Sequence, residues 1–240
     1  MEINENYMNF KKISETETEL YIYGSIRKKD IFDIWLGTGK EKTEAYTLKD
    51  ALAKVDTPNL IVRINSDGGE VSEGLAIYAL LSTFNGHVKT IVDGFACSIA
   101  SVIFMAGEER VVPENGLLMI HNAWASVSGD SNDMKKYAED LEKITQPTID
   151  IYKLKTGLAE ETIKEMMDKE TWITSKEAYE LGFSTTMTRN DESMQMIGSK
   201  SIYKLVMENK RLNNELKMRK KLEKNNLPKE DAIASFFNGK

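Results

Sequence analysis

Ser98 and His121 are the residues whose types and positions best suit nucleophilic chemistry. Ser98 lies near the start of a predicted helix of small apolar residues, GFACSIASVIFMAG. Unpaired backbone N–H groups and the positive end of the helix dipole could stabilise an oxyanion there. His121 follows the apolar run LLMI, at the end of a predicted strand, where an imidazole can serve as a base. Taken singly, each also fits a structural role: Ser98, like Ser101, as a small packing residue, and His121 as a hydrogen-bonded core histidine.

Other reactive residue types are few. Cys97 is the single cysteine and could be a nucleophile, although a cysteine among small apolar residues is more typical of a buried packing position. His87 follows Asn85-Gly86 in a predicted turn, where an exposed histidine without a role is expected. Gly68-Gly69 falls between a strand and a helix; it is either a plain turn or a place where backbone amides approach a substrate carbonyl.

The sequence contains no motif typical of a metal or nucleotide site: HExxH, CxxC, a P-loop and GxGxxG are all absent. We therefore expect no cofactor. The formal net charge of −6 disfavours a nucleic-acid partner. No apolar run approaches the roughly 18 residues of a membrane span. The polar N-terminus lacks the layout of a signal peptide, so we expect a cytoplasmic protein.

Strands alternate with helices along the chain, which predicts an α/β fold. With 240 residues, of which 41% are hydrophobic, the chain can bury a core. Strands are predicted at 19–26, 60–64, 88–92, 110–112 and 117–120. Helices are predicted at 47–55, 71–84, 97–106, 131–156, 159–169 and 175–181, with a break near Pro147 in the long one.

Charge divides the chain into two parts. Residues 199–225 hold nine Lys/Arg and three Glu, a net charge of +6, so the remainder carries −12. The apolar residues Ile202, Leu205, Leu212 and Leu216, with Asn209 between them, recur at spacings of three and four, which predicts a basic amphipathic helix. A polar stretch, 188–198, precedes it as a predicted linker.

Three ordered segments, RINSDGGEVSEGLAIYALL, DGFACSIASVIFMAG and GLLMIHNAWAS, resemble the ClpP family of serine peptidases, from about residue 19 to 187. The resemblance implies a repeated β-β-α spiral, shared with the crotonases, and a protruding handle helix at 131–156. It also implies a ring-like homo-oligomer that acts on protein substrates. The expected organisation is a flexible segment 1–18, a peptidase domain 19–187, the linker and an extension 199–240.

Residue by residue, the resemblance implies that Ser98 is the nucleophile and His121 the general base. It further implies that the backbone amides of Gly68 and Ile99 form the oxyanion hole. The family has an Asp two residues before the aromatic of the motif that here reads ETWITSKEA, so Glu170 stands at the third position of the triad. Asp168, two residues earlier, is the alternative.

The polar stretch 28–44 and the basic extension depart from housekeeping ClpP. The motifs INSDGG, ETW and MIHNAWAS resemble ClpP-related head maturation proteases of tailed phages and prophages. These enzymes process scaffold and capsid precursors, so we expect such substrates. Three alternatives remain open. They are a housekeeping Clp subunit working with an ATPase, a non-catalytic assembly protein, and a crotonase acting on acyl-CoA.

Overall fold

The computed structural model describes residues 8–28 and 42–187. Within them the chain forms one sheet of nine strands with helices between the strands. The strands are β1 Met8–Lys12, β2 Glu17–Ile26, β3 Lys42–Thr43, β4 Asn59–Gly69, β5 His87–Cys97, β6 Glu109–Val112, β7 Leu117–Ile120, β8 Thr171–Thr174 and β9 Thr186–Met187. The helices are α1 Ala45–Leu52, α2 Val71–Ser82, α3 Ile99–Phe104, α4 Ser131–Thr156, α5 Glu160–Asp168 and α6 Ser175–Glu180.

Most strand pairs of the sheet are parallel. Its main path runs β1-β2-β4-β5-β6-β9, with β3 beside β2, and only the β1–β2 and β7–β8 pairs among the described strands are antiparallel. Parallel neighbours need crossover connections, which α2 and α3 supply on either side of β5. The predicted α/β fold is therefore confirmed.

Strand β5 divides the sheet. Its first part, residues 89–91, pairs with β6, and its last part, residues 95–97, pairs with β7. β7 in turn pairs with β8. As a result, β5 and β7 run side by side to the same edge of the sheet, and the residues that follow them are brought together there.

Helix α3 lies in the hydrophobic core. All six of its residues are buried, and it packs against α2, β4 and β5. A helix that is small and apolar on all sides has no face suited to water, which explains its central position. The turn before α3 is therefore held by core packing.

Helix α4 is long and only half of it is packed. Residues 131–144 contain no buried position, whereas Thr145, Thr148, Ile149 and Tyr152 are buried. The helix begins at a capping box in which the Asp130 side chain accepts from the backbone of residue 133, and it ends at Gly157 with φ 76°.

The predicted break at Pro147 is wrong, because α4 continues through this residue. Proline removes a single backbone donor, and packing of the neighbouring turns outweighs that loss. Tertiary contacts made by the second half of α4 thus preserve the continuity of the helix.

Several further elements differ from the predicted ones. β1, which lies within the predicted segment 1–18, pairs antiparallel with β2. β4 continues through Gly69 instead of ending in a turn, because β2 still pairs with it there, beyond a shift in register. Cys97 ends β5 and does not begin the helix. β8 was not predicted; it is short, and half of its positions are only partly buried.

The buried Arg110 ties the end of α4 to the sheet. Its guanidinium donates to the carbonyl oxygens of Phe183 at 2.7 Å, Gly107 at 3.0 Å, Gly182 at 3.2 Å and Lys155 at 3.4 Å. These bonds hold the C-terminal end of α4 against the core.

Most of the polar stretch 28–44, the linker and the basic extension lie outside the described residues.

Candidate active site

Ser98 occupies a strained turn between β5 and α3. Its φ of 55° and ψ of −130° lie in a region that non-glycine residues rarely adopt. The Ser98 N–H donates to the carbonyl oxygen of Met119 on β7 at 2.8 Å. A sharp strand-to-helix turn of this kind pushes a side chain out of the sheet edge, as in a nucleophile elbow.

His121 meets Ser98 directly. Its Nε2 lies 2.7 Å from Ser98 Oγ, within hydrogen-bond distance. The meeting follows from the topology: Cys97, the last residue of β5, pairs with Met119, and β7 ends at Ile120. The two residues that suited nucleophilic chemistry in the sequence are therefore brought together at the ends of parallel strands.

The surroundings of His121 favour a neutral imidazole. Burial lowers its pKa below the ordinary value of 6.5, and the negative charge of Glu170 opposes this shift only in part. A neutral ring whose Nε2 accepts from the Ser98 hydroxyl carries its proton on Nδ1. Such a ring can remove the hydroxyl proton, which is what a general base must do.

Glu170 and His121 are the residues just beyond the end of an antiparallel strand pair. β7 and β8 pair Ile120 with Thr171, so the next pair in the same register would be His121 and Glu170. Glu170 has φ 48°, which turns the chain sharply between α5 and β8. Its side chain is exposed, and within the described residues it acts on His121 through charge and not through a hydrogen bond.

Asp168, the alternative acid, has a different partner. Its Oδ1 accepts from the side-chain amide of Asn122 at 2.7 Å, and the residue is exposed. The charge that acts on the His121 ring comes from Glu170. The arrangement therefore favours Glu170 as the carboxylate associated with the imidazole.

Gly68 approaches Ser98 so closely that a side chain would not fit. A Cβ added to Gly68 would lie 2.8 Å from the Ser98 Cβ, and its φ of +89° also favours glycine. However, the Gly68 N–H donates to Ser66 Oγ at 3.1 Å, and the Ser66 hydroxyl donates to the Gly24 carbonyl at 2.5 Å. The amide of Gly68 thus lies at the site but already has an acceptor.

Ile99 contributes the other expected amide. It is the first residue of α3, where the helix leaves N–H groups without an intrahelical partner.

Cys97 is buried at the end of β5 and suits a packing role. His87 lies at the opposite end of β5, where its Nδ1 is 3.1 Å from Glu108 Oε2.

A small pocket adjoins Ser98, Ile99 and His121. It is completed by side chains from α2, α4, α5 and the segment after β7: Val71, Ala123, Thr145, Thr148 and Met167. Sequence reasoning missed Ser66, which accepts from the Gly68 amide, and Asn122, which donates to Asp168, because a single short polar residue gives no distinctive pattern. Ser101 was considered only as a packing residue.

Among residues 8–28 and 42–187, no group of three or more His, Cys, Asp or Glu side chains is placed to hold a metal ion. Over the same residues, no helix has the length and apolar character needed to cross a bilayer.

Comparison with known proteins agrees with this geometry. The family model described as Clp protease matches residues 17–191. The ATP-dependent Clp protease proteolytic subunit of Deinococcus radiodurans is 32% identical over 167 residues, which cover 67% of this chain and 81% of that protein. The subunit of the same name from Bacteroides fragilis is 29% identical over 171 residues, 69% of this chain and 82% of its own length. The chain therefore belongs to the Clp protease family of serine peptidases.

Proposed function

We propose that this protein is a serine endopeptidase in which Ser98 is the nucleophile, His121 the general base and Glu170 the orienting acid. The observation that carries the proposal is the 2.7 Å contact between His121 Nε2 and Ser98 Oγ at a strained turn. The hydrogen bond prepares the hydroxyl for deprotonation, and the turn presents it next to the amide of Ile99.

In this mechanism, Ser98 Oγ attacks the carbonyl carbon of the scissile peptide bond while His121 Nε2 takes its proton. The carbonyl oxygen becomes an oxyanion, which the amide of Ile99 and, once it is shared or released by Ser66, the amide of Gly68 stabilise. His121 then gives the proton to the leaving amine. Water hydrolyses the acyl-enzyme by the same path in reverse.

Replacing either member of the hydrogen-bonded pair tests the roles of Ser98 and His121. We expect Ser98→Ala and His121→Ala to reduce peptide cleavage by roughly 10⁴-fold or more, and the double variant to be no worse than either single one, because the two act as a unit. Peptidase assays on purified variants measure this effect. Cys97→Ser is the matched control and should remain active; an active Ser98→Ala with an inactive Cys97→Ser would transfer the nucleophile to Cys97.

Replacing each acid separately tests the role of Glu170. Glu170→Gln should lower kcat by about 10⁴-fold, as loss of an orienting carboxylate does in other triads, and Asp168→Asn should cost far less. Glu170 raises the pKa of His121 against the effect of burial, so Glu170→Gln should lower that pKa further below 6.5.

The pKa of His121 can be read by histidine NMR titration, because the chain has only two histidines and His87→Gln assigns the other signal. Asp168→Asn should leave the His121 titration in place. A downward shift of the His121 pKa in Asp168→Asn, with none in Glu170→Gln, would give the orienting role to Asp168.

The first half of α4 supports assembly into a ring-like homo-oligomer. Met134, Tyr137 and Ile144 are 40%, 46% and 45% exposed and recur at helical spacing, with Leu141 between them. Charged residues occupy the opposite side of the helix. Unpaired apolar surface on a protruding helix is stabilised by a partner, and a second copy of this chain is the partner that the proposal names.

A charge placed within this stripe should weaken the assembly. Tyr137→Glu should shift the protein to smaller species in multi-angle light scattering at micromolar concentration, because the interface would bury an unpaired carboxylate. Glu139→Lys changes charge on the opposite side of α4 and should leave the size unchanged. A wild-type protein that is already monomeric would contradict the assembly proposal.

The finer role that we propose is phage or prophage head maturation, with scaffold or capsid precursors as substrates, in the host cytoplasm or the prohead. Two sequence features support it: the departures INSDGG and ETW, and the basic stretch 199–225, which lies beyond residues 17–191 matched by the family. A basic amphipathic segment can attract an acidic partner helix, which suits recruitment of a precursor.

A second candidate is a proteolytic subunit that works with an ATPase. The curated relatives favour it, because those from Deinococcus radiodurans and Bacteroides fragilis both have ATP-dependent in their names. The two functions differ in their requirements. Degradation of a folded substrate that needs ATP and a partner ring would favour the second, whereas precursor processing without ATP would favour the first.

Deleting residues 199–240 tests recruitment. Cleavage of a small peptide should be unchanged, whereas processing of the capsid or scaffold precursor should slow. Added salt should slow precursor processing by the intact protein in the same way, because such attraction is screened over about 10 Å at 0.1 M salt. Both substrates are followed by gel and mass spectrometry. If the truncated protein loses peptide cleavage as well, the segment contributes to folding or to the site itself and the recruitment proposal fails.

A further inference from the structure

Two buried hydroxyl groups connect α4 to the turn that carries Ser98. Ser101 Oγ lies 2.6 Å from the carbonyl oxygen of Ser98 and 2.6 Å from the hydroxyl of Tyr152. Ser101 is 0% and Tyr152 1% exposed. The triad does not use either residue.

The direction of these hydrogen bonds follows from the atoms involved. A carbonyl oxygen can only accept, so the single hydroxyl proton of Ser101 is donated to the Ser98 carbonyl. The contact between Tyr152 and Ser101 must then use the Tyr152 proton. Burial raises the pKa of Tyr152, which keeps that proton in place. The chain therefore runs from Tyr152 to Ser101 to the Ser98 carbonyl.

The Ser98 carbonyl belongs to the same planar unit as the Ile99 N–H. In a trans peptide the two groups point in opposite directions, so an acceptor fixed on one side fixes the donor on the other. The Ser101 N–H also donates to this carbonyl at 3.0 Å. Ser98 lies at φ 55° and ψ −130°, a conformation that a serine does not favour by itself. The hydrogen bonds to its carbonyl therefore determine the orientation of the Ser98–Ile99 peptide plane.

We propose that Ser101 and Tyr152 are positioning residues that lock the Ser98–Ile99 peptide plane, so that the Ile99 N–H faces the oxyanion. This inference rests on the proposed function. It has particular weight here because the Gly68 N–H already donates to Ser66. Hydrogen bonds to the carbonyl of a peptide unit also polarise its N–H, which strengthens the donor.

Two substitutions weaken the lock with little change in shape. Ser101→Ala deletes the hydroxyl that donates to the Ser98 carbonyl and keeps the bond from the backbone N–H of the same residue. Tyr152→Phe deletes only the outer hydroxyl, while the ring keeps its contact with Phe183. Loss of a whole oxyanion donor costs about 10²- to 10³-fold in kcat. We expect about 10- to 100-fold for Ser101→Ala and about 3- to 10-fold for Tyr152→Phe, with KM for a peptide substrate nearly unchanged.

A transition-state analogue separates positioning from a general structural effect. A peptide aldehyde adds to Ser98 Oγ, and its carbonyl oxygen becomes the oxyanion. Its affinity should fall by the same factor as kcat/KM in each variant, whereas binding of a product-like peptide acid should not change. In addition, Tyr152→Phe should have no further effect on kcat when Ser101 is already Ala, because Tyr152 acts through Ser101.

Thr90→Val is the matched control. It removes a buried hydroxyl that donates to the carbonyl oxygen of Phe104 at 2.8 Å, at the far end of α3. Its thermal stability should fall much as in Ser101→Ala, while kcat and aldehyde affinity stay at the wild-type level.

The proposal is overturned if Ser101→Ala and Tyr152→Phe keep wild-type kcat and aldehyde affinity, or if Tyr152→Phe costs the same factor with and without Ser101. If the wild-type protein cleaves peptides, either of these two outcomes overturns only the positioning role of Ser101 and Tyr152 and leaves the proposed function intact. A wild-type protein that neither cleaves peptides nor reacts with a serine-directed phosphonate overturns the proposed function, and this inference with it.

Discussion

The backbone conformation of Ser98 is the constraint on which the site depends. A non-glycine residue at φ 55° is held only if its neighbours determine both sides of the turn. Met119 accepts its N–H, Ser101 satisfies its carbonyl, and α3 is buried immediately after it. Gly68 completes the turn by lacking a side chain where one would collide with Ser98. The core thus supplies the rigidity that a reactive hydroxyl needs.

The sheet determines which other groups reach this turn. β5 changes partner from β6 to β7 part way along its length, so β7 ends beside Ser98 and presents His121. β8 begins opposite the end of β7, where Thr171 pairs with Ile120, so Glu170 and His121 are the residues just beyond this pair. Burial keeps His121 neutral, and the exposed carboxylate moderates that effect. Strand pairing therefore brings the ends of β5, β7 and β8 together, and the balance of burial and charge acts on the pKa of the His121 imidazole.

The sequence predicted the α/β fold and placed Ser98 and His121 near element ends, because long apolar periodic segments and strand ends leave clear patterns. Its errors lie where tertiary contacts override local preference. Packing carries α4 through Pro147, and pairing with β2 extends β4 through Gly69. Single-residue contacts left no signal at all. Tyr152 and Ser101, whose hydroxyl groups are hydrogen-bonded, are 51 positions apart in the sequence. The acceptor of the Gly68 N–H is likewise a single hydroxyl, that of Ser66.

We propose that Ser98 is the activated nucleophile of this site, because its hydroxyl meets His121 at a strained turn. The most direct test is to treat the protein with a fluorophosphonate and to locate the adduct by peptide mass spectrometry. We expect a single stoichiometric adduct on Ser98, formed more slowly in His121→Ala because the hydroxyl then lacks its base. An unmodified Ser98, or modification that proceeds equally fast in wild-type protein and in His121→Ala, would contradict it.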